Sequence, residues 1–355
     1  MTETADGAPG AVLTTDREAI AWNLRSLRTA FAPSRIMLVV KADAYGHGLR
    51  PVYETALAEG VEDFAALDIE TGAELRSLGA AGTLFVWRIG PSSDFALAQR
   101  AGLELGVQSR WQLERIATLD AAEGRLAVHL KLDTGLHRGG ADPAEWDALV
   151  DAALALQREG RLRVRGAWTH FSDTSPEDDE RSFAQFTAAV DRARGRGAEF
   201  EVLHAAASGA GIDFPESRLD FVRLGLGAYG ISPFEDRDGR DLGLRLALEL
   251  TAPVLSVAES EAAVGVGFGD GLQSAPDGEM WLSIDGAPHP IRRVEVDRTI
   301  VDRVPGIDIG PGSLAYCFGD GEHGEATAER WAEAFRTVPD EIVTGVTARV
   351  TRRIR

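Results

Sequence analysis

Hydrophobic and polar positions alternate with two different periods through the first two thirds of the chain. Short apolar runs at Ile36–Val40, Phe64–Leu67, Thr83–Arg88, Glu104–Val107, Leu126–Leu132, Val164–Phe171, Val202–Ala206 and Phe221–Tyr229 predict strands. Between most of them, apolar residues recur at helical spacing, as in Glu70–Leu78, Trp111–Leu119, Trp146–Gln157 and Phe183–Arg194. Strands alternating with helices predict a parallel sheet with crossover helices. About 200 residues from first strand to last suits a closed (β/α)8 barrel of the TIM type.

After Tyr229 the pattern changes. A polar linker, Ser232–Gly243, leads to closely spaced strand signals at Arg245–Leu250, Val264–Phe268, Trp281–Ile284, Ile291–Val296 and Leu314–Phe318. One helix pattern, Ala326–Phe335, interrupts them, and a last strand is expected near Ile342–Val350. The predicted class is α/β: a barrel over 14–235, then a mostly β C-terminal domain over 242–355, which residues 1–13 are free to join.

With 355 residues, 44% of them hydrophobic, the chain is long enough for a full core. A net charge of −19 argues against nucleic acid or an anionic membrane as its main partner. One cysteine, Cys317, excludes an internal disulfide framework and any cysteine-based metal cluster. The N-terminus lacks the basic and apolar regions of a signal peptide, and no apolar run is long enough to span a bilayer. A cytoplasmic, metal-free protein is the expectation.

The basic residues narrow the chemistry. Of 37, only Lys41 and Lys131 are lysine. Arginine solvates a surface well but does not deprotonate in proteins, so a position that needs a neutral amine must keep lysine. Lys41 closes the run Ile36–Val40 in VVKADAYGHG, at the C-terminal strand end where barrel sites lie. Desolvation there favours the neutral amine and Schiff-base formation. Lys131 sits in HLKLDTGLHRGG, at the end of the fifth strand.

These two motifs, with WTHFSDTSPEDDE, HAAASGA, VRLGLGAYGISP and the closing TVPDEIVTGVTARVTRRI, occur in the order and spacing of one family. The chain resembles the alanine racemases, pyridoxal 5′-phosphate enzymes with a (β/α)8 barrel and a β domain. The resemblance runs nearly end to end, from DREAIAWNLRSLR (Asp16–Arg28) onward. It implies that Lys41 carries the cofactor as a Schiff base and acts as base at the substrate Cα. Tyr45, Ser208 and the amides of Gly225 and Leu226 would hold the phosphate. His170 would pack near the pyridine ring, and Arg138 would contact the phenolic oxygen beside Lys131, which is carbamylated in some relatives. Arg223 would face the ring nitrogen, oriented by His204. An arginine cannot protonate that nitrogen, which weakens the electron sink and favours proton transfer over decarboxylation. A homodimer with shared active sites, acting on a small amino acid, is implied as well.

The pattern breaks on the side of the site that faces the partner. Two-base racemisation needs an acid–base group on each face of the planar intermediate. The family supplies the second as a tyrosine ahead of a GYxDG motif. Here LELTAPVLSVAESEAAVGVGFGDG keeps the later motif as Gly267–Gly271 and contains no tyrosine. His137, His170 and Asp270 are candidate substitutes. The family's MDQ triplet reads Val296-Asp297-Arg298, with Asp297 a possible substrate-site residue alongside Lys131 and His137. Ala207 stands where asparagine is expected, and Ala348 where a tyrosine is expected. An amino acid other than alanine is therefore the expected substrate. A lyase, aldolase or decarboxylase using one base, and a non-catalytic cofactor-binding homologue, stay open as alternatives.

Overall fold

The computed structural model describes residues 10–274 and 280–355. Its contacts divide the chain into two units whose sequences interleave. One comprises Leu24–Lys41 and Ala56–Gly225, and the other comprises the N-terminal segment to Asn23, Ala42–Thr55 and Leu226–Arg355.

β1 (Val12–Thr15) belongs to the second unit. The first is built on β2 (Arg35–Val39), β3 (Asp63–Ala66), β4 (Leu84–Val86), β5 (Glu104–Val107), β6 (Leu126–Lys131), β7 (Leu162–Trp168), β8 (Val202–His204) and β9 (Phe221–Leu224). All pair in parallel, in the order β8-β7-β6-β5-β4-β3-β2-β9. Asp220 N–H donates to Leu203 O and Arg223 N–H to Ala206 O, both at 3.1 Å, which closes the ring between β8 and β9. This is the expected (β/α)8 barrel.

Its helices form for readable reasons. Trp146–Arg158 buries Trp146, Leu149, Val150, Ala153 and Leu154, one stripe at helical spacing. The helix expected over Phe183–Arg194 begins earlier and runs Pro176–Gly195. Its acidic first turn has no apolar period to reveal it, but the Ser175 hydroxyl caps Asp178 N–H and Pro176 stands at the first turn. The strand expected over Phe221–Tyr229 stops at Leu224, where Leu226–Tyr229 winds into a 3-10 turn.

The second unit carries a sheet of β10 (Leu248–Val257), β11 (Glu261–Val264), β12 (Trp281–Ile284), β13 (Ala287–Val294), β14 (Thr299–Asp302), β15 (Leu314–Phe318) and β16 (Thr351–Ile354), together with β1. β1 pairs antiparallel with β10 and parallel with β16. Three expectations are corrected here. Val264–Phe268 is mainly a turn, with β11 lying ahead of it. Thr299–Asp302 is a strand the pattern did not mark. Ile342–Val350 is no strand: Pro339 opens a short helix to Thr344, and β16 starts only at Thr351. Among the described residues, no helix is long and apolar enough to cross a membrane.

Candidate active site

Lys41 follows β2 at the C-terminal end of the barrel strands. The next four residues turn left-handed, with φ of 51° at Ala42 and 53° at Asp43, Ala44 and Tyr45. That region costs a residue with a side chain roughly 1–2 kcal/mol, so a run of four persists only where neighbours fix it. His47 is one such neighbour. Its Nδ1–H donates to the carbonyls of Ala44 and Tyr45, each at 3.0 Å, while its ring lies 4.5 Å from that of Tyr229. Burial holds the His47 imidazole down at about 4, so it stays neutral and keeps that proton. The Asp43 carboxylate accepts from Leu49 N–H at 2.7 Å, ahead of the helix Leu49–Ala58. Tyr45 is buried 4.9 Å from the Tyr229 ring, and burial pushes its phenol far above the ordinary range.

Arg223, on β9, is the centre of the barrel's polar interior. Its Nη1 donates to His204 Nδ1 at 3.0 Å. Its Nη2 faces Thr169 O at 2.8 Å, Ala205 O at 2.7 Å and His170 Nδ1 at 3.0 Å. Burial brings this guanidinium down to about 9, with Asp173 opposing the shift and Arg138 adding to it. Burial and the facing arginine also push His170 and His204 well below the ordinary histidine value, so both are neutral acceptors.

Lys131, at the end of β6, places its ammonium 4.7 Å over the Trp168 ring. Burial, then Arg223 and Arg138, bring it down to about 8. Ser208 begins the short helix Ser208–Asp213, and its hydroxyl accepts from Gly225 N–H at 3.1 Å. Leu226 opens the 3-10 turn that follows. The barrel unit thus gathers Lys41, Lys131, His170, His204, Ser208, Arg223 and Gly225 on the C-terminal sides of its strands. Arg223 and Arg138 depress the Lys131 amine, and the arrangement calls for an anionic ligand.

Comparisons with known proteins show the family. Residues 15–233 match the family described as "Alanine racemase, N-terminal domain", and residues 253–354 match "Alanine racemase, C-terminal domain". The chain belongs to the alanine racemase family. It is 36% identical over 367 residues to the alanine racemase of Beutenbergia cavernae, covering 95% of this chain and 96% of that one. Against the alanine racemase of Mycolicibacterium smegmatis it is 35% identical over 362 residues, covering 95% and 92%. The crystal structure of alanine racemase from D-cycloserine-producing Streptomyces lavendulae superimposes with a TM-score of 0.92 at 32% identity, covering 98% of this chain and 97% of that one. The family's cofactor is pyridoxal 5′-phosphate, and it is this chain's cofactor too. The donor set fits it. A phosphorylated anion suits a site rich in cations, and an amine is present beside the left-handed turn.

β10 passes into β11 through Ala258, Glu259 and Ser260, with Ala258 N–H bonded to Glu261 O at 2.8 Å, a tight turn that contains no tyrosine. Asp270 is engaged elsewhere: Oδ2 accepts from Gly267 N–H at 3.0 Å and Oδ1 from Arg349 Nε at 2.9 Å. That caps a turn and corrects its place among the substitute acids. Asp297 is half-exposed and held by Arg298 through contacts of 3.0 and 3.2 Å, a pairing that lowers its carboxyl. His137, in the barrel unit, is exposed on the loop with φ 55° and lies 3.9 Å from the Asp133 carboxylate. Arg138 is exposed beside it, and its charge helps to lower the Lys131 amine.

Three residues linked to His204 inside the barrel, His129, Glu104 and Arg165, were not singled out in the sequence. His129 lies two residues before Lys131, on the same face of a barrel strand, and that period-2 placement was the available signal. Glu104 and Arg165 carried none, because each opens or interrupts an apolar run and reads as solvated.

Proposed function

We propose that the chain transfers a proton at the Cα of an amino acid other than alanine, acting as a racemase or epimerase. The observation that carries this reading is Arg223, a buried cation whose hydrogen-bond partners are all acceptors. Such a group donates to a ring nitrogen without transferring its proton, which suits brief charge development at Cα better than decarboxylation. Pyridoxal phosphate, when bound, supplies the electron sink that makes the Cα–H bond acidic. Lys41 would bind it and take the proton on one face. Tyr45, Ser208 and the amides of Gly225 and Leu226 would hold its phosphate. Arg138 would take the phenolic oxygen beside Lys131, with His170 against the ring and His204 behind Arg223.

The tight β10–β11 turn supports a substrate larger than alanine, since the segment bearing the family's second tyrosine has no counterpart there. The same turn favours a second reading, a lyase, aldolase or decarboxylase in which Lys41 is the only base. A homodimer completes the proposal, with Asp297 of the β domain serving a neighbour's site in the cytoplasm.

Holoenzyme incubated with single enantiomers of increasing side-chain size, followed by chiral chromatography, tests the proposal. Inversion is expected for a residue larger than alanine. Alanine as the best substrate contradicts the specificity, and product of altered composition without inversion supports the single-base reading.

A further inference from the structure

The hydrogen bond from Arg223 to His204 is the last link of a longer chain through the barrel interior. His204 Nε2 lies 2.9 Å from His129 Nδ1, and His129 Nε2 lies 2.7 Å from Glu104 Oε2. The other Glu104 oxygen is paired with Arg165 Nη1. Both imidazoles are fully buried, and the Glu104 side chain is 13% exposed. Glu104 opens β5, His129 lies within β6, and His204 ends β8. The chain therefore climbs from the N-terminal end of the barrel to Arg223. The β6–β7 register shifts between Val128 and His129, and such an irregularity re-aims a side chain. Phe85 packs against both imidazoles, with centroids 5.1 Å from His129 and 5.0 Å from His204, which excludes water between the links.

Only one set of proton positions satisfies every link. An arginine can only donate and a carboxylate can only accept. His204 Nδ1 must therefore accept from Arg223, so its proton is on Nε2. That proton is donated to His129 Nδ1, which leaves the His129 proton on Nε2, donated to Glu104. A cationic imidazole at either position would set two donors face to face.

We infer that Glu104, anchored by Arg165, is a positioning residue that fixes the tautomers of His129 and His204 and so holds Arg223 in place as a donor. Its consequence for catalysis rests on the reading of Arg223 as the partner of the cofactor's ring nitrogen. Glu104 touches neither cofactor nor substrate, and it acts through two neutral rings.

The experiment reads the protons directly. In holoenzyme labelled with 15N-histidine, multiple-bond 1H–15N spectra should show His129 and His204 protonated on Nε2 and unchanged from about pH 6 to about pH 9. Glu104→Gln keeps an acceptor of the same shape, and both tautomers should persist with most of kcat retained. Glu104→Leu removes the acceptor. Both rings should then spread their protons over two nitrogens, and kcat should fall about tenfold with KM little changed, as for other outer-shell partners. Nδ1 protons or imidazolium in the wild type overturn the inference, as do unchanged tautomers or unchanged kcat in Glu104→Leu. Should Glu104→Leu not fold, wild type and Glu104→Gln decide, and Nδ1 protons in either one overturn it. Arg223→Gln separates the two claims. A cofactor absorption band left unmoved refutes the ring-nitrogen reading, while Nε2 protons in the wild type still establish the chain.

Discussion

Lys131 shows how a single residue reports its surroundings. Its amine falls to about 8 in the folded protein, because burial and two arginines disfavour the ammonium. A free lysine in an unfolded chain titrates near 10.4. Below pH 8 the folded state carries the full cost of that charge, and the cost disappears as pH rises from about 8 towards the unfolded value. Wild type should therefore gain stability relative to Lys131→Met over that window, by at most about 1.4 kcal/mol per pH unit. Urea melts of both proteins at intervals across the window measure it. Parallel curves would show that Lys131 does not titrate there. Scarcity singled out both lysines in the sequence, and both stand at C-terminal ends of barrel strands. Asp270 was misleading for the opposite reason, since an acid in a glycine turn looks the same in sequence whether it caps the turn or moves protons.

At the scale of the element, two backbone features shape the site. The left-handed turn after Lys41 includes exposed Ala42 at φ 51°. Glycine reaches that region without a Cβ clash, so Ala42→Gly should stabilise the fold by about 1 kcal/mol, as a raised urea midpoint. In an ordinary right-handed helix the same change would destabilise by a similar amount, which makes the sign of the shift decisive. The second feature is Gly166 in β7. A Cβ there would lie 2.6 Å from Val202 O and 2.8 Å from His129 Nδ1. Gly166→Ala should cost about 1–3 kcal/mol through overpacking, and an unchanged urea midpoint would contradict the packing described. Neither feature was legible beforehand. KADAY has ordinary helical composition, and a glycine inside a strand does not announce which neighbour it accommodates.

Across the whole molecule, the barrel was legible because buried parallel strands leave apolar runs that helices separate. The second sheet was less so. Its strands are half-solvated, and β1, β10 and β16 meet from distant parts of the sequence. The interleaving of the two units cannot be read from a linear pattern. Buried neutral imidazoles set the acid limit of the folded state. His47 sits at about 4 and His129 at about 3, both mainly through burial. Both lie below the unfolded value near 6.5, so the unfolded chain binds the extra protons first. Stability should hold above about pH 6.5 and fall as pH drops towards 4, by about 1.4 kcal/mol per unit for each such ring. His47→Gln should flatten that slope, as read from thermal melts between these limits. An equal slope in the variant would show that His47 is not the group responsible.

A Lys41-centred site is proposed to move a proton at Cα although no tyrosine lies between Leu248 and Gly271. Exchange of Cα–H into D2O, followed by NMR on holoenzyme with single enantiomers and scored for configuration, tests it most directly. Deuterium wash-in with inversion, lost in Lys41→Arg, is the predicted result. Wash-in with configuration retained would mean that Lys41 is the sole base, and wash-in that survives in Lys41→Arg, or no exchange with any amino acid offered, would contradict the account.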